Sequence, residues 1–388
     1  MLPGFDRSGQ KASYSADPAP MQQDAYHWLA LRFVEGLGSI GYRNLIRRFH
    51  TPGRVFRASS GDLEKVEGIR SKAIKGIKDF KQAVRVEREL ELMRQHGVKL
   101  IHFQDNSYPA NLLNIYDPPP CLYVKGDLRE EDKRAVAVVG SRFASSYGMM
   151  ITERIARDIA QQGITIVSGM ARGIDASAHR GALSVKGRTI AVLGCGIDVD
   201  YPRENKKLKD EIASCGAVVS ELPMSTAPAA GHFPRRNRII SGMSLGVVVV
   251  EASHHSGSLI TARLALEQGR DVFAVPGSVD SLRSRGTHKL IKEGAKLVED
   301  AVDIISELVP EAGSGPRQDR GQEAAGGKGL SRESGAVLAL LASEQVHIDS
   351  IIAGSGLNSS QVSAALLDLE LRGFVRHLPG KHFMRTCI

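Results

Sequence analysis

Seven short apolar runs, separated by helix-like segments, constrain this chain more than any other feature. They are Leu100–Phe103, Ala135–Val139, Thr165–Ser168, Thr189–Leu193, Val218–Glu221, Gly246–Glu251 and Asp271–Val275. Several lack the polar alternation of a half-exposed strand, as parallel strands covered on both faces do. Between them, Met149–Gln162, Ala176–Ser184 and Leu259–Gly269 carry apolar residues at helical spacing. Strands and helices in this alternation predict an α/β domain over 87–308, with a Rossmann-like, doubly wound, mostly parallel sheet.

The flanking segments follow other patterns. Residues 1–23 are polar and rich in Ser, Gln, Asp and Pro, which predicts a disordered tail. Residues 24–86 have a helical, turn-punctuated pattern with a small repeat. Val34-Glu35-Gly36-Leu37-Gly38 returns as Val66-Glu67-Gly68-Ile69-Arg70, each copy ahead of an amphipathic helix. This is a pattern of paired helix-hairpin-helix or SAM-like units. A Gly-apolar-Gly turn leaves backbone amides free to meet a phosphate. Arg70 replaces the second glycine in the second copy, and a purely structural helical cap is an equal reading. Residues 309–330 have no apolar periodicity and predict a flexible linker. Over 331–388, Ser331 caps a helix running to Leu341, a second helix starts near Asp349, and a third spans Ser359–Arg372. The segments Phe374–Leu378 and Lys381–Met384 complete a hairpin, and the whole predicts a winged helix.

With 42% apolar and 24% charged residues, the 388-residue chain has the composition of a soluble protein. Its 51 basic against 43 acidic residues give +8, mild support for a polyanionic partner. Four cysteines, Cys121, Cys195, Cys215 and Cys387, show no metal or redox spacing, which suits the cytoplasm. No window has the apolar core of a signal peptide or a membrane span.

In open parallel sheets, ligands bind beyond the carboxyl ends of the strands. After the strand at 135–139 stand Gly140, Ser141 and Arg142: a residue permitting close approach, a hydroxyl donor and a guanidinium fork. Ser168, Gly169 and Arg172 follow the next strand, where Asp175 fits a helix N-cap. Beyond Glu251, Ser256, Ser258 and Thr261 open another helix as caps or phosphate donors, and Glu251 itself fits a structural role better than a general base. The densest cluster is Phe233-Pro234-Arg235-Arg236-Asn237-Arg238, flanked by apolar residues and expected at the edge of the sheet. Guanidinium groups there suit phosphate oxygens or a stacked base. His254 and His255 diverge as neighbours and have no third ligand, so no metal is expected. Neither a GxGxxG fingerprint, a P-loop nor a nucleophile elbow is present. Phosphate-friendly strand ends without a catalytic set point to binding rather than turnover, and no cofactor is expected.

Four motifs in this order resemble the DNA-processing protein A (DprA/Smf) family. They are Val138-Val139-Gly140-Ser141-Arg142, Ser168 through Asp175, Phe233 through Gly242, and Gly257 through Ala262; Tyr108-Pro109, Asp117 through Pro120 and Tyr123 through Gly126 agree. The helical front and winged-helix tail extend the resemblance over nearly the whole chain. It implies a non-catalytic protein that binds single-stranded DNA without sequence preference, protects incoming strands and loads RecA recombinase during natural transformation. It also implies a homodimer formed through the Rossmann-like domain. Carried onto this chain, the DNA contacts are Gly140, Ser141, Arg142, Ser168, Gly169, Arg235, Arg236, Asn237 and Arg238. Phe233 leads as a stacking partner, ahead of Phe143. The presumed recognition helix of the winged helix holds Asp368 and Glu370 against Arg372, so protein contact or an architectural role stands level with DNA binding. Phosphoribohydrolases on a related fold place a catalytic Glu where this chain has Ala262, which counts against such an enzyme; a nucleotide-sensing regulator is the other alternative.

Overall fold

The computed structural model describes residues 20–308, 331–341 and 345–386. Residues 1–19 of the expected tail, the expected linker and Cys387 lie outside the described residues; residues 20–23, expected in the disordered tail, instead open the helix Pro20–Arg32. The chain divides into two compact units, one of residues 1–144 and 148–312, the other of 313–388 with the segment 145–147.

The first unit is organised by a nine-stranded sheet. Its strands are β1 (Lys99–His102), β2 (Cys121–Gly126), β3 (Ala135–Val139), β4 (Thr165–Ser168), β5 (Thr189–Leu193), β6 (Ala217–Ser220), β7 (Gly246–Val249), β8 (Asp271–Ala274) and β9 (Lys296–Leu297). Their order is β1-β2-β6-β5-β4-β3-β7-β8-β9. From β6 to β9 all pairings are parallel, while β1 and β2 add an antiparallel edge. The sheet is therefore Rossmann-like and mostly parallel, as the apolar runs predict. All residues of β3 to β7 are buried, with helices packed against the sheet.

Two strands escape the sequence pattern. β2 follows three prolines and ends in Lys125-Gly126, and β9 is two exposed residues long. At the other end of β7, pairing stops at Val249 and Glu251 turns into the left-handed region at φ 51°. The expected boundary at 86/87 falls inside the helix Ala83–His96. That helix and the ones before it share their core with the sheet: Leu29, Phe33, Val86 and Met93 pack with Tyr123, Leu193 and Val218.

One buried ion pair fastens the amino ends of the central strands. Arg188 donates from Nε to Asp132 Oδ1 at 2.9 Å and from Nη2 to Oδ2 at 2.8 Å. Thr165 Oγ1 and the Arg129 amide also donate to Asp132, and Arg188 reaches the carbonyls of Asp127 and Cys215. The lone pairs and donors of the pair are thus satisfied by the segments entering β3, β4 and β5.

In the second unit, helices Arg332–Leu340, Ile348–Ser355 and Ser359–Leu371 pack with a three-stranded sheet of Val346–His347, Val375–Leu378 and His382–Arg385. Ser331 accepts from the Ser334 amide at 3.0 Å, and Asn358 with Gln361 closes a capping box on the third helix. These are the elements of a winged helix.

Removing one partner of a buried, hydrogen-bonded pair strands the other charge, at a cost of about 3–5 kcal/mol. Asp132→Ala should therefore lower the unfolding free energy from a urea titration by an amount of that order, whereas Asp62→Ala, on the exposed Lys65 pair, should leave it nearly unchanged.

Candidate nucleic-acid interface

The connections β3→β4→β5→β6 run to one side of β3, and β7 returns to its other side. The carboxyl ends of β3 and β7 therefore flank a topological switch point, where open α/β sheets bind ligands. A cleft of about 610 Å³ opens there. Its walls come from Gly140–Phe143 after β3, Ser253 and Ser256–Ser258 after β7, and Phe233, Arg236 and Asn237 from the helix His232–Met243. A smaller pocket of about 200 Å³ adjoins it and shares Arg142, Phe143, Ala171, Tyr201, Phe233 and Arg236.

The arginine cluster departs most from expectation. It does not fringe the sheet; it lies in the helix His232–Met243, buried from Arg236 onward. The helix sinks Ile239, Ile240 and Met243 into the core under the sheet, which carries the neighbouring guanidiniums inward with them. Arg236 donates to the Gly169 carbonyl at 2.6 Å, to the Val192 carbonyl, and to Asn237 Oδ1 at 3.2 Å. Burial lowers it to about 10, partly offset by Asp175. Arg238 is 6% exposed and joins Glu221, itself 3% exposed, as well as Asp117 and its carbonyl. Arg238 lines neither cavity. These two arginines brace the loops around the cleft. Arg235 is half-exposed but pairs with Glu221 at 3.0 Å, and it too lies off the cleft.

Other predicted contacts are also committed to the chain itself. Ser168 is fully buried and donates to the Val138 carbonyl at 2.6 Å, so no hydroxyl remains for a ligand. Gly140 and Gly169 do allow close approach, but of the protein's own atoms. A Cβ at Gly140 would lie 2.6 Å from Ile174, and one at Gly169 would lie 2.7 Å from both Arg236 Nη2 and Asp175 Oδ2. Asp175 is not the cap, which is Gly173; it accepts from the Ala171 amide at 3.2 Å, and burial raises its carboxyl above the usual range. Arg172 reaches the smaller pocket yet pairs with Glu204. The first turn of the helix Ser146–Gln161 already faces an anion. A Cβ at Gly148 would lie 2.5–2.8 Å from the Glu251 carboxyl atoms, so Glu251 packs closely on that turn.

What converges on the cleft is a smaller set. Arg142 is exposed, forms no salt bridge among the described residues although its charge acts on Asp175, and lies over the Phe233 ring at 5.2 Å. Ser141 accepts from the Phe143 amide at 3.1 Å, leaving its own proton to donate. Asn237, Ser258 and Thr261 line the far wall. Ser256 caps the helix Gly257–Glu267 and contacts Ser258 at 2.8 Å. Phe143 is 77% exposed and Tyr201 41%, and Tyr201 sits 5.6 Å from Phe233. Sequence reasoning did not assign Tyr201 a role. Its signal was the Tyr201-Pro202 step after the β5 glycines, visible only once β5 is placed beside the helix carrying Phe233. Ala262, where a catalytic acid would stand, is fully buried. Among the described residues no group of three metal-ligating side chains occurs, and no helix is long and apolar enough to cross a membrane.

A wound sheet with this cleft at its switch point, followed by a winged helix, places the chain in the class of Rossmann-like proteins with an appended winged-helix domain. The pattern of the DNA recombination-mediator protein A family matches residues 99–309, and that of the DprA winged helix domain matches 322–381. The chain belongs to the DNA recombination-mediator protein A family. It is 35% identical to the Smf protein of Synechocystis over 92% of this chain and 98% of that protein. The X-ray structure of DNA processing protein A from Streptococcus pneumoniae is 37% identical, covers 73% of this chain and 98% of its own, and superposes with a TM-score of 0.65. DNA processing protein A from Helicobacter pylori, whose structure describes a single-stranded DNA binding mode, is 32% identical over 55% of this chain and 96% of its own, with a TM-score of 0.50.

Arginines that brace and arginines that are free should separate in unfolding experiments. Arg238→Ala should cost about 3–5 kcal/mol by leaving Glu221 buried beside fewer cations. Arg142→Ala should stay within about 0.5 kcal/mol of the parent in the same urea titration.

Proposed function

We propose that this protein binds single-stranded DNA in the switch-point cleft without cleaving it, and presents the strand for recombination. The observation that carries the reading is Arg142, exposed, held in no salt bridge among the described residues and laid over Phe233 beside the exposed rings of Phe143 and Tyr201. A cation and open aromatic faces are what unstacked bases on a phosphate chain need, and neither depends on base identity. Gly140, Ser141, Asn237, Ser258 and Thr261 supply the polar wall with the inner edge of Arg236, while Arg238 and Ser168 act behind it. The related Helicobacter protein and its single-stranded DNA support the assignment.

Non-catalytic action is supported by the cleft's own carboxylate. Asp175 is turned to the Ala171 amide and Arg236, away from the role of a general base. The family's description as a recombination mediator supports delivery of the strand to RecA in the cytoplasm, in natural transformation or in recombination without DNA uptake. We take the helical front, the Rossmann-like part that it meets within the helix Ala83–His96, and residues 331–388 as the working parts of the protein, with self-association through the Rossmann-like part.

Fluorescence anisotropy with a mixed-sequence single strand tests the assignment. Arg142→Ala should weaken binding several-fold at 0.1 M salt and reduce the slope of log K against log salt by about 0.7, one single-strand phosphate contact. The recovered oligonucleotide should be intact. Unchanged affinity and slope, or shortened DNA, would count against the assignment.

A further inference from the structure

The charge of this chain is concentrated in a segment that lines neither cavity. Residues 24–86 hold thirteen lysines and arginines against six aspartates and glutamates, a net +7 where the whole chain carries +8. Among the described residues, Lys65 and Arg48 act on Asp62 and Lys72 pairs with Glu35, while Arg47, Arg54, Arg70 and Lys75 are exposed and form no salt bridge. Such a field attracts a polyanion.

The same segment is an internal duplication with a near two-fold arrangement. Turns at Gly36 and Gly68, both at φ 79°, introduce the helices Ser39–Phe49 and Ser71–Lys78. Each helix packs on the other's turn through equivalent positions. Asn44 Nδ2 donates to the Glu67 carbonyl at 3.0 Å, and Gly76, thirty-two residues later, faces the Glu35 carbonyl, 3.8 Å from where its Cβ would stand. Arg43 and Lys75 are likewise equivalent, on the fifth residue of each helix. A surface repeated about a local two-fold offers the same contacts to two antiparallel phosphate chains, as two-fold proteins do on two-fold sites.

What the surface lacks identifies the partner. Its rings, Trp28, Phe33, Tyr42, Phe49, Phe56 and Phe80, are all buried or half-buried. It therefore offers no open face for unstacked bases, unlike the cleft with Phe143 and Tyr201. Val84 is the one large apolar side chain exposed among its described residues, too little to enter a lipid surface. We infer that the duplicated helical segment 24–86 is a second, separate binding surface that takes the backbone of duplex DNA, so that one protein can hold a paired and an unpaired stretch together.

The inference does not rest on the single-strand reading, and one set of variants tells them apart. Full-length protein is titrated with a blunt duplex and with a single strand of equal length, by anisotropy at several salt concentrations. R43Q/R70Q/K75Q should weaken duplex binding about tenfold or more and lower its salt slope by about 2–3, near 0.9 per lost contact. Single-strand binding should stay within about twofold, since the cleft is untouched. The charge-keeping variant R43K/R70K/K75R should retain duplex binding, which excludes misfolding as the cause. No duplex binding by the parent, an undiminished duplex affinity, or an equal loss on single strands would overturn the proposal. So would binding to phosphatidylserine vesicles that the duplex does not displace.

Discussion

The helix His232–Met243 is held by two guanidiniums buried against the chain's own carbonyls and carboxylates, and the shape of the cleft depends on them. Arg236 gathers the carbonyls of Gly169, just past β4, and Val192, near the end of β5. Arg238, two residues further along, takes Glu221 at the end of β6 and Asp117 ahead of β2. Strand ends in an open sheet have carbonyls without ladder partners, and a buried carbonyl left unpaired is costly. One helix thus satisfies three strand ends at once and places Phe233 on its first turn against Gly194, where an added Cβ would lie 2.8 Å from the ring.

This division of charge explains how an arginine-rich motif can serve a ligand it hardly touches. A guanidinium buried against carbonyls and carboxylates fixes geometry; one left in solvent beside a ring keeps its donors for a phosphate. The loop after β3 is placed by other internal ties. The Ser141 amide donates to the Glu251 carbonyl at 2.9 Å, the Ile174 amide donates to the Ser141 carbonyl at 3.2 Å, and Arg283 holds the Phe143 carbonyl at 3.0 Å. Arg142 and Phe143 are exposed on a loop whose backbone is pinned from three sides. Met170 and Glu251, both in the left-handed region, stand at the ends of β4 and β7, where functional loops commonly store backbone strain.

Much of the architecture was legible in the sequence because burial writes itself into apolar runs. β3, β4 and β5 match their expected limits to the residue, since strands covered on both faces admit few polar side chains. β2 and β9 were hidden for the opposite reason. One follows three prolines, pairs antiparallel and ends in Lys125-Gly126, and the other is short and exposed. The loops of the site were recognisable as loops, yet the direction of each side chain was not. Ser168, Arg236 and Arg238 carry the chemistry of a phosphate site, and nothing in their order along the chain shows that they turn inward. Glycines were misleading in the same way: Gly140 and Gly169 mark close approach, but the approaching atoms belong to Ile174, Arg236 and Asp175.

The account rests on where an unpaired strand lies. A single strand carrying 4-thiothymidine, bound to the full-length protein and irradiated, reports this by mass spectrometry of the cross-linked peptides. Adducts on the peptides containing Phe143, Tyr201 or Phe233 are the predicted result. Adducts confined to residues 24–86 or 331–386, with the cleft unmarked, would contradict it.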